Sequence, residues 1–212
     1  MSADHEYAIV NGPNRSSIGR WIYLGASVLS AILVLILLSL IDLAEATGLN
    51  ANIPPTVFAV VSAGAVYGAI YFFFVKYIWK WSVVQKLLNV PNLSGRWDCF
   101  AVSSYKTDEY PDGLEWQATV DISQTLDKIS VILRAVRSGS ESVSAAVIPL
   151  GNGEYKLLYN YKNDPTQFEE GLNAHHGFVE LLISNDLKSA NGMYFTGRGR
   201  VTHGTMTWER NE

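Results

Sequence analysis

The chain has 212 residues, room for one ordinary domain and a short extra module. Its 48% hydrophobic and 17% charged residues are unevenly spread: residues 21–81 are almost wholly apolar or aromatic, while 92–212 have the composition of a soluble domain. From residue 92 onward eleven Lys and Arg face sixteen Asp and Glu, a negative balance that excludes a non-specific DNA or RNA binder, whose affinity rests on many cation–phosphate contacts.

Residues 1–20 read as a polar N-terminal segment. Trp21 to Ile41 then runs without a charge, about 30 Å as a helix, which matches a bilayer core. Its thirteen Leu, Ile and Val favour insertion by about 4–8 kcal/mol, and it has no polar face to present to water. The run is too long for a signal peptide, starts too late, and lacks a small-x-small cleavage site. A second uncharged run, Pro55 to Val75, follows Pro54 and completes a two-helix transmembrane hairpin over 21–81. The connection carries Asp42 and Glu45 without Lys or Arg, whereas Arg15, Arg20, Lys76, Lys80 and Lys86 flank the other ends. This bias, with Trp21, Tyr23, Tyr77, Trp79 and Trp81 as an aromatic belt, places both termini in the cytoplasm. Gly64 and Gly68 form a GxxxG, which lets a neighbouring helix approach closely. Two readings of it stay open: packing within the hairpin against Ala26 and Ser30, or association between copies.

A linker, 82–92, leads to a cytoplasmic domain over 93–212, where the hydrophobic period changes to alternation. Eight strands are expected: Gly95–Tyr105, Glu115–Gln124, Ile129–Arg137, Glu141–Ile148, Glu154–Tyr161, His175–Ser184, Ala190–Val201 and Thr205–Arg210. Short turns between nearly all of them point to an all-β, eight-stranded antiparallel up-and-down barrel, because hairpins need no crossovers and closure removes edges. Asp121, Arg134 and Glu180 on alternate faces exclude an outer-membrane barrel.

Leu93-Ser94-Gly95-Arg96-Trp97 opens the first strand, and this Gly-x-Trp resembles the lipocalin pattern, which implies Trp97 packed across the barrel floor under an Arg from a late strand. Gly197-Arg198-Gly199-Arg200 supplies candidates for that Arg. The complete layout, two transmembrane helices and then a minimal lipocalin-like barrel, resembles the two-transmembrane β-strand-rich effectors of CBASS, the cyclic-oligonucleotide-based anti-phage defence of bacteria. The resemblance covers about residues 20–210. It implies a cyclic dinucleotide made by a cognate cyclase, a barrel that binds it, homo-oligomers that form on activation, and hairpins that disrupt the inner membrane and kill the cell.

Such a ligand needs cations for two phosphates and flat surfaces for two bases. Arg198 and Arg200 share a strand face with Tyr194 and Thr196, and Trp116 and Tyr159 lie on other strands; these six are the expected ligand site. Tyr159 belongs to a row with Tyr155, Leu157 and Tyr161. The phase of the seventh strand stays open. If Met193, Phe195 and Val201 point inward, the two arginines face solvent; either arginine alternatively stacks on Trp97.

Catalysis has no support: there is no Walker loop, HExxH, GxSxG or Cys/His zinc pattern, so no catalytic residue, metal or cofactor is expected. His175 and His176 are adjacent and point to opposite faces of a strand. The single cysteine, Cys99, excludes an internal disulfide and shares the face of Trp97, where a buried thiol is expected. The rival to a nucleotide-gated effector is a membrane-tethered barrel for a lipid or apolar metabolite. The inward side chains separate the two: Arg and Tyr favour the first, Val, Leu and Phe alone the second. A ligandless anchored scaffold is the third reading.

Overall fold

The computed structural model describes residues 4–12, 14–48, 57–58, 61–106, 108, 110–136, 138–165, 175–197 and 202–211. The chain divides into two units, Pro13–Trp81 and a second made of Met1–Gly12 with Ser82–Glu212.

In the first unit, α1 spans Arg15–Ala46, its N-terminus capped by Asn14, whose side chain accepts from the Ser16 amide at 2.9 Å. Its 32 residues extend the expected span at both ends, to about 48 Å. It is the one helix among the described residues long and apolar enough to cross a membrane. Trp21, Leu35 and Leu43 are more than 60% exposed, which a water-soluble fold would not leave uncovered on one helix. The second helix, α2, is described over Ala63–Lys76 and is capped by Ser62; Pro54 and Pro55 lie outside the described residues. Tyr23 meets Tyr67 edge to face at 5.9 Å, and the Ser30 hydroxyl donates to the Val61 carbonyl. Residue numbers rise along α1 as they fall along its partner, so the two run antiparallel.

Ala26 and Ser30 are buried, as expected of a contact face, but Gly64 and Gly68 are not what they meet. A Cβ built at either glycine touches none of the described residues within 4 Å. The half-buried side of α2 is Val66, Tyr67, Ile70 and Tyr71. With 3.6 residues per turn, seating Tyr67 against α1 turns both glycines away. Packing of the GxxxG within the hairpin is thereby corrected.

The second unit is sheet-rich. It contains β1 (His5–Ile9), α3 (Ser82–Leu88), β2 (Gly95–Ser103), β3 (Leu114–Gln124), β4 (Lys128–Ala135), β5 (Ser138–Pro149), β6 (Tyr155–Pro165), β7 (His175–Ile183), β8 (Ser189–Gly197) and β9 (His203–Arg210). β2 to β9 are the eight expected strands. Each pairs antiparallel with the next, and β2 also pairs with β9. These eight alone do not close the barrel as expected. β4 and β5 pair over three residues beside their turn, Ile132 to Arg134 with Gly139 to Glu141, and then part. β1, absent from the sequence expectation, fills the gap, antiparallel to β4 and parallel to β5, and so completes the ring. The His5 Nε2 and Ser142 Oγ lie 2.7 Å apart across this seam.

One end of the barrel is sealed. Trp97 is 1% exposed and donates its indole N–H to the Leu93 carbonyl at 3.1 Å. The Arg210 guanidinium lies 5.4 Å from the centre of the Trp97 ring and donates to the carbonyls of Asn92, Ser94 and Leu187. The lipocalin-like floor is therefore present, but its arginine comes from β9, where the register opposes Trp97 to Arg210. Residues 82–92 are more than a linker, since α3 is followed by the fully buried Val90, and Leu93 joins the barrel core. Gln124 ties this end together. Its Oε1 accepts from the Leu93 amide at 2.7 Å, and its Nε2 donates to the Tyr7 hydroxyl and the Pro91 carbonyl, each at 3.1 Å.

Candidate functional site: the barrel mouth

Above the floor the inner wall changes character along its length. The lower part is filled by Val120, Ile129, Val147, Leu157, Leu181, Ile183 and Trp208, all at most 2% exposed. Such side chains in contact stabilise the fold by about 1.5–3 kcal/mol each, and the Trp208 indole N–H is the polar group among those named. Tyr159 belongs to this layer, 6.3 Å from the Trp208 ring centre, and burial pushes its phenol well above the ordinary tyrosine range. It is core beneath the site.

Toward the far end the inward residues become polar and aromatic. Trp116 of β3 donates its indole N–H to the Tyr194 hydroxyl of β8 at 3.2 Å, and the rings meet edge to face at 5.7 Å. Tyr194 and Thr196 are buried while Met193 and Phe195 are 60% and 53% exposed, which decides the phase of that strand. The inward set is the even-numbered one. β8 is described as far as Gly197; Arg198, Arg200 and Val201 lie outside the described residues. Of the six expected ligand residues, the structure thus brings Trp116, Tyr194 and Thr196 together, sets Tyr159 lower, and leaves the two arginines undescribed.

Two tyrosines owe their positions to glycines on the next strand. Tyr161 pairs with Gly177, where an added Cβ would lie 2.3 Å from the ring. Tyr194 pairs with Gly204, where it would lie 2.7 Å from the ring. Only a strand without a side chain at that point lets an aromatic ring lie over it. Each ring therefore lies along the inner wall.

Sequence reasoning missed the residues between them. A β-bulge separates Ser142 from Ser144, pushes Val143 out to 50% exposure and reverses the phase of β5 on its mouth side. Ser138, Ser140 and Ser142 consequently face inward, opposite Asn163 and Tyr161. Asn163 and His175, each 7% exposed, pair across β6 and β7 at the same level. Ser103 of β2 and Ser138 complete a wall of hydroxyl, amide and imidazole groups. His176 is exposed, opposite in face to His175, as the strand alternation requires. Among the described residues the wall carries no Lys or Arg, and none of its side-chain groups forms a His/Cys/Asp/Glu cluster for a metal. Cys99 is buried lower down, and burial pushes its thiol up to about 12.

A helical domain made for a bilayer, joined to a sheet-rich domain with a hydroxyl- and tyrosine-lined mouth, defines a membrane-bound receptor for a small polar ligand. The chain belongs to the Cap15 family: residues 88–210 match the model described as Cap15, cyclic dinucleotide receptor domain, and residues 16–80 that of Cap15, TM helices. It is 42% identical over 208 residues, 98% of each chain, to CD-NTase-associated protein 15 of Yersinia aleksiciae. Cap15 proteins are CBASS effectors, in agreement with the resemblance drawn from the sequence.

Proposed function

We propose that the barrel mouth binds a cyclic dinucleotide made by a cognate cyclase, that binding assembles copies of the protein, and that their hairpins then disrupt the bacterial inner membrane and kill the cell. The observation that carries this reading is the inner wall itself. Tyr161 and Tyr194, each laid over a glycine, offer two flat faces for two bases, with hydroxyl and amide groups between them. Arg198 and Arg200, which follow Gly197 in the sequence, supply the cations for the phosphates in this reading. The lower barrel is filled by Trp97, Trp208 and Leu157, which disfavours a lipid-binding role. The protein acts as a receptor and not as an enzyme.

Two features support the membrane step. β1 and β2–β9 belong to one folded unit, so a chain that enters the bilayer after β1 must return to the same side before β2. An even number of crossings favours a two-pass hairpin, and the Lys and Arg bias favours cytoplasmic termini. Gly64 and Gly68, turned away from α1, offer a close-approach face to a second copy.

The test is titration of cyclic di- and trinucleotides into the full-length protein in detergent, with wild type beside Arg198→Ala and Arg200→Ala. Tight binding of a cyclic dinucleotide, lost in either variant, is expected. Binding of none by the folded wild-type protein overturns the reading; equal binding by both variants removes the arginines from it.

A further inference from the structure

Within the mouth one buried polar atom has no partner. Asn163 is 7% exposed on the inner face of β6, and its amide Nδ2 donates to Ser138 Oγ at 3.3 Å, while its Oδ1 receives no hydrogen bond among the described residues. Other polar groups of that wall are engaged: Thr196 with Thr202, Ser142 with His5 and the Val131 amide, and Trp116 with Tyr194. A buried carbonyl oxygen without a donor destabilises the empty barrel, and such an atom is kept where a ligand supplies the missing hydrogen.

We propose that Asn163 reads one base of the bound nucleotide, its Oδ1 accepting from an exocyclic amine. This rests on the cyclic-dinucleotide reading above and adds the specificity that reading lacks. Tyr161, two residues away on the same face, supplies the stacking surface, and Asn163 meets the edge of the base that stacks there. Nδ2 gives one hydrogen to Ser138 and, among the described residues, keeps a second. The amide therefore presents an acceptor beside a donor, the pair that adenine matches with its amine and neighbouring ring nitrogen. A base bearing a carbonyl in place of the amine would set two oxygens against each other.

The experiment is a cycle between residue and ligand on the full-length protein in detergent. Cyclic di-AMP and cyclic di-IMP, which exchanges the amine for a carbonyl, are titrated into wild type and Asn163→Leu, and thermal melting of both proteins is followed without ligand. Wild type is expected to favour the amine-bearing ligand by about tenfold or more, and Asn163→Leu to lose that preference while melting no lower than wild type. Melting is the readout that separates a reading role from a structural one: a residue kept for the fold alone would lower it on substitution. If Asn163→Leu keeps the full preference, or wild type has none, the assignment of Asn163 falls and the receptor reading stands. If wild type binds neither these nor any other cyclic dinucleotide, both fall together.

Discussion

Substituting Gln124 by Leu removes one side chain of similar volume and unties three parts of the barrel floor at once. Gln124 is 4% exposed and joins β3 to β1 through Tyr7 and to the segment before β2 through Pro91 and Leu93. The Leu93 amide and the Pro91 carbonyl lose their partner, and Leu93 is itself fully buried, so water cannot replace it. The lost bond to Tyr7 costs about 1 kcal/mol and each of the two backbone groups left buried and unmet about 1–3 kcal/mol. The total is about 3–7 kcal/mol, a large share of the 5–15 kcal/mol that holds a typical domain together. At about 4 °C per kcal/mol for a domain of this size, the melting temperature should fall by about 12–28 °C. The assay is near-UV circular dichroism of the full-length protein in detergent on heating, which follows the packed aromatic rings and not the helices. A variant that melts within about 3 °C of wild type would refute the claim that this amide holds the floor together.

Two further outcomes follow from the same end of the barrel. Arg210→Ala should lower stability to chemical denaturation by about 2–3 kcal/mol, because a charged donor to backbone carbonyls and a cation over Trp97 are lost together. Arg210→Lys should recover less than half of it, since a lysine cannot donate in the forked geometry; full recovery measured in urea would contradict that. Cys99, held near 12 by burial, should resist iodoacetamide in the native protein at pH 8.5 and react once urea unfolds it. Its folded value lies above the unfolded 9.0, so the unfolded state sheds its proton first and stability falls as pH rises above about 9. Native labelling at the rate of a free thiol would disprove the burial.

The eight long strands were legible because alternation over many residues survives errors at the ends; both limits of β3 and β7 lie within one residue of expectation. β1 was not legible, since five residues, two of them charged or polar at the start, make too short a pattern to stand out before a membrane span. Trp97 lies under an arginine as its motif implies, yet that arginine is Arg210 and neither of the two candidates in Gly197–Arg200, because a motif fixes a residue type and only register fixes the residue. The serines of β5 were hidden by the bulge: read with one phase from Val147 backward, Ser138, Ser140 and Ser142 fall on the outside. Asn163, followed by Asp164 and Pro165, has the chemistry of a loop, and β6 runs through it because the partner strands β5 and β7 extend alongside. In the helices the GxxxG was plain, but which way it faces depended on where Tyr67 finds Tyr23.

The seam strand ties assembly of the receptor to the order in which the chain is made. β1 leaves the ribosome before α1, and its neighbours β4 and β5 only after the whole membrane-directed segment has followed. A copy stranded with β1 on the far side of the bilayer would keep eight strands and an open slit between β4 and β5. Closing that slit doubles as an inspection of sidedness: a finished barrel forms only on a copy whose β1 lies on the same side of the membrane as β4 and β5.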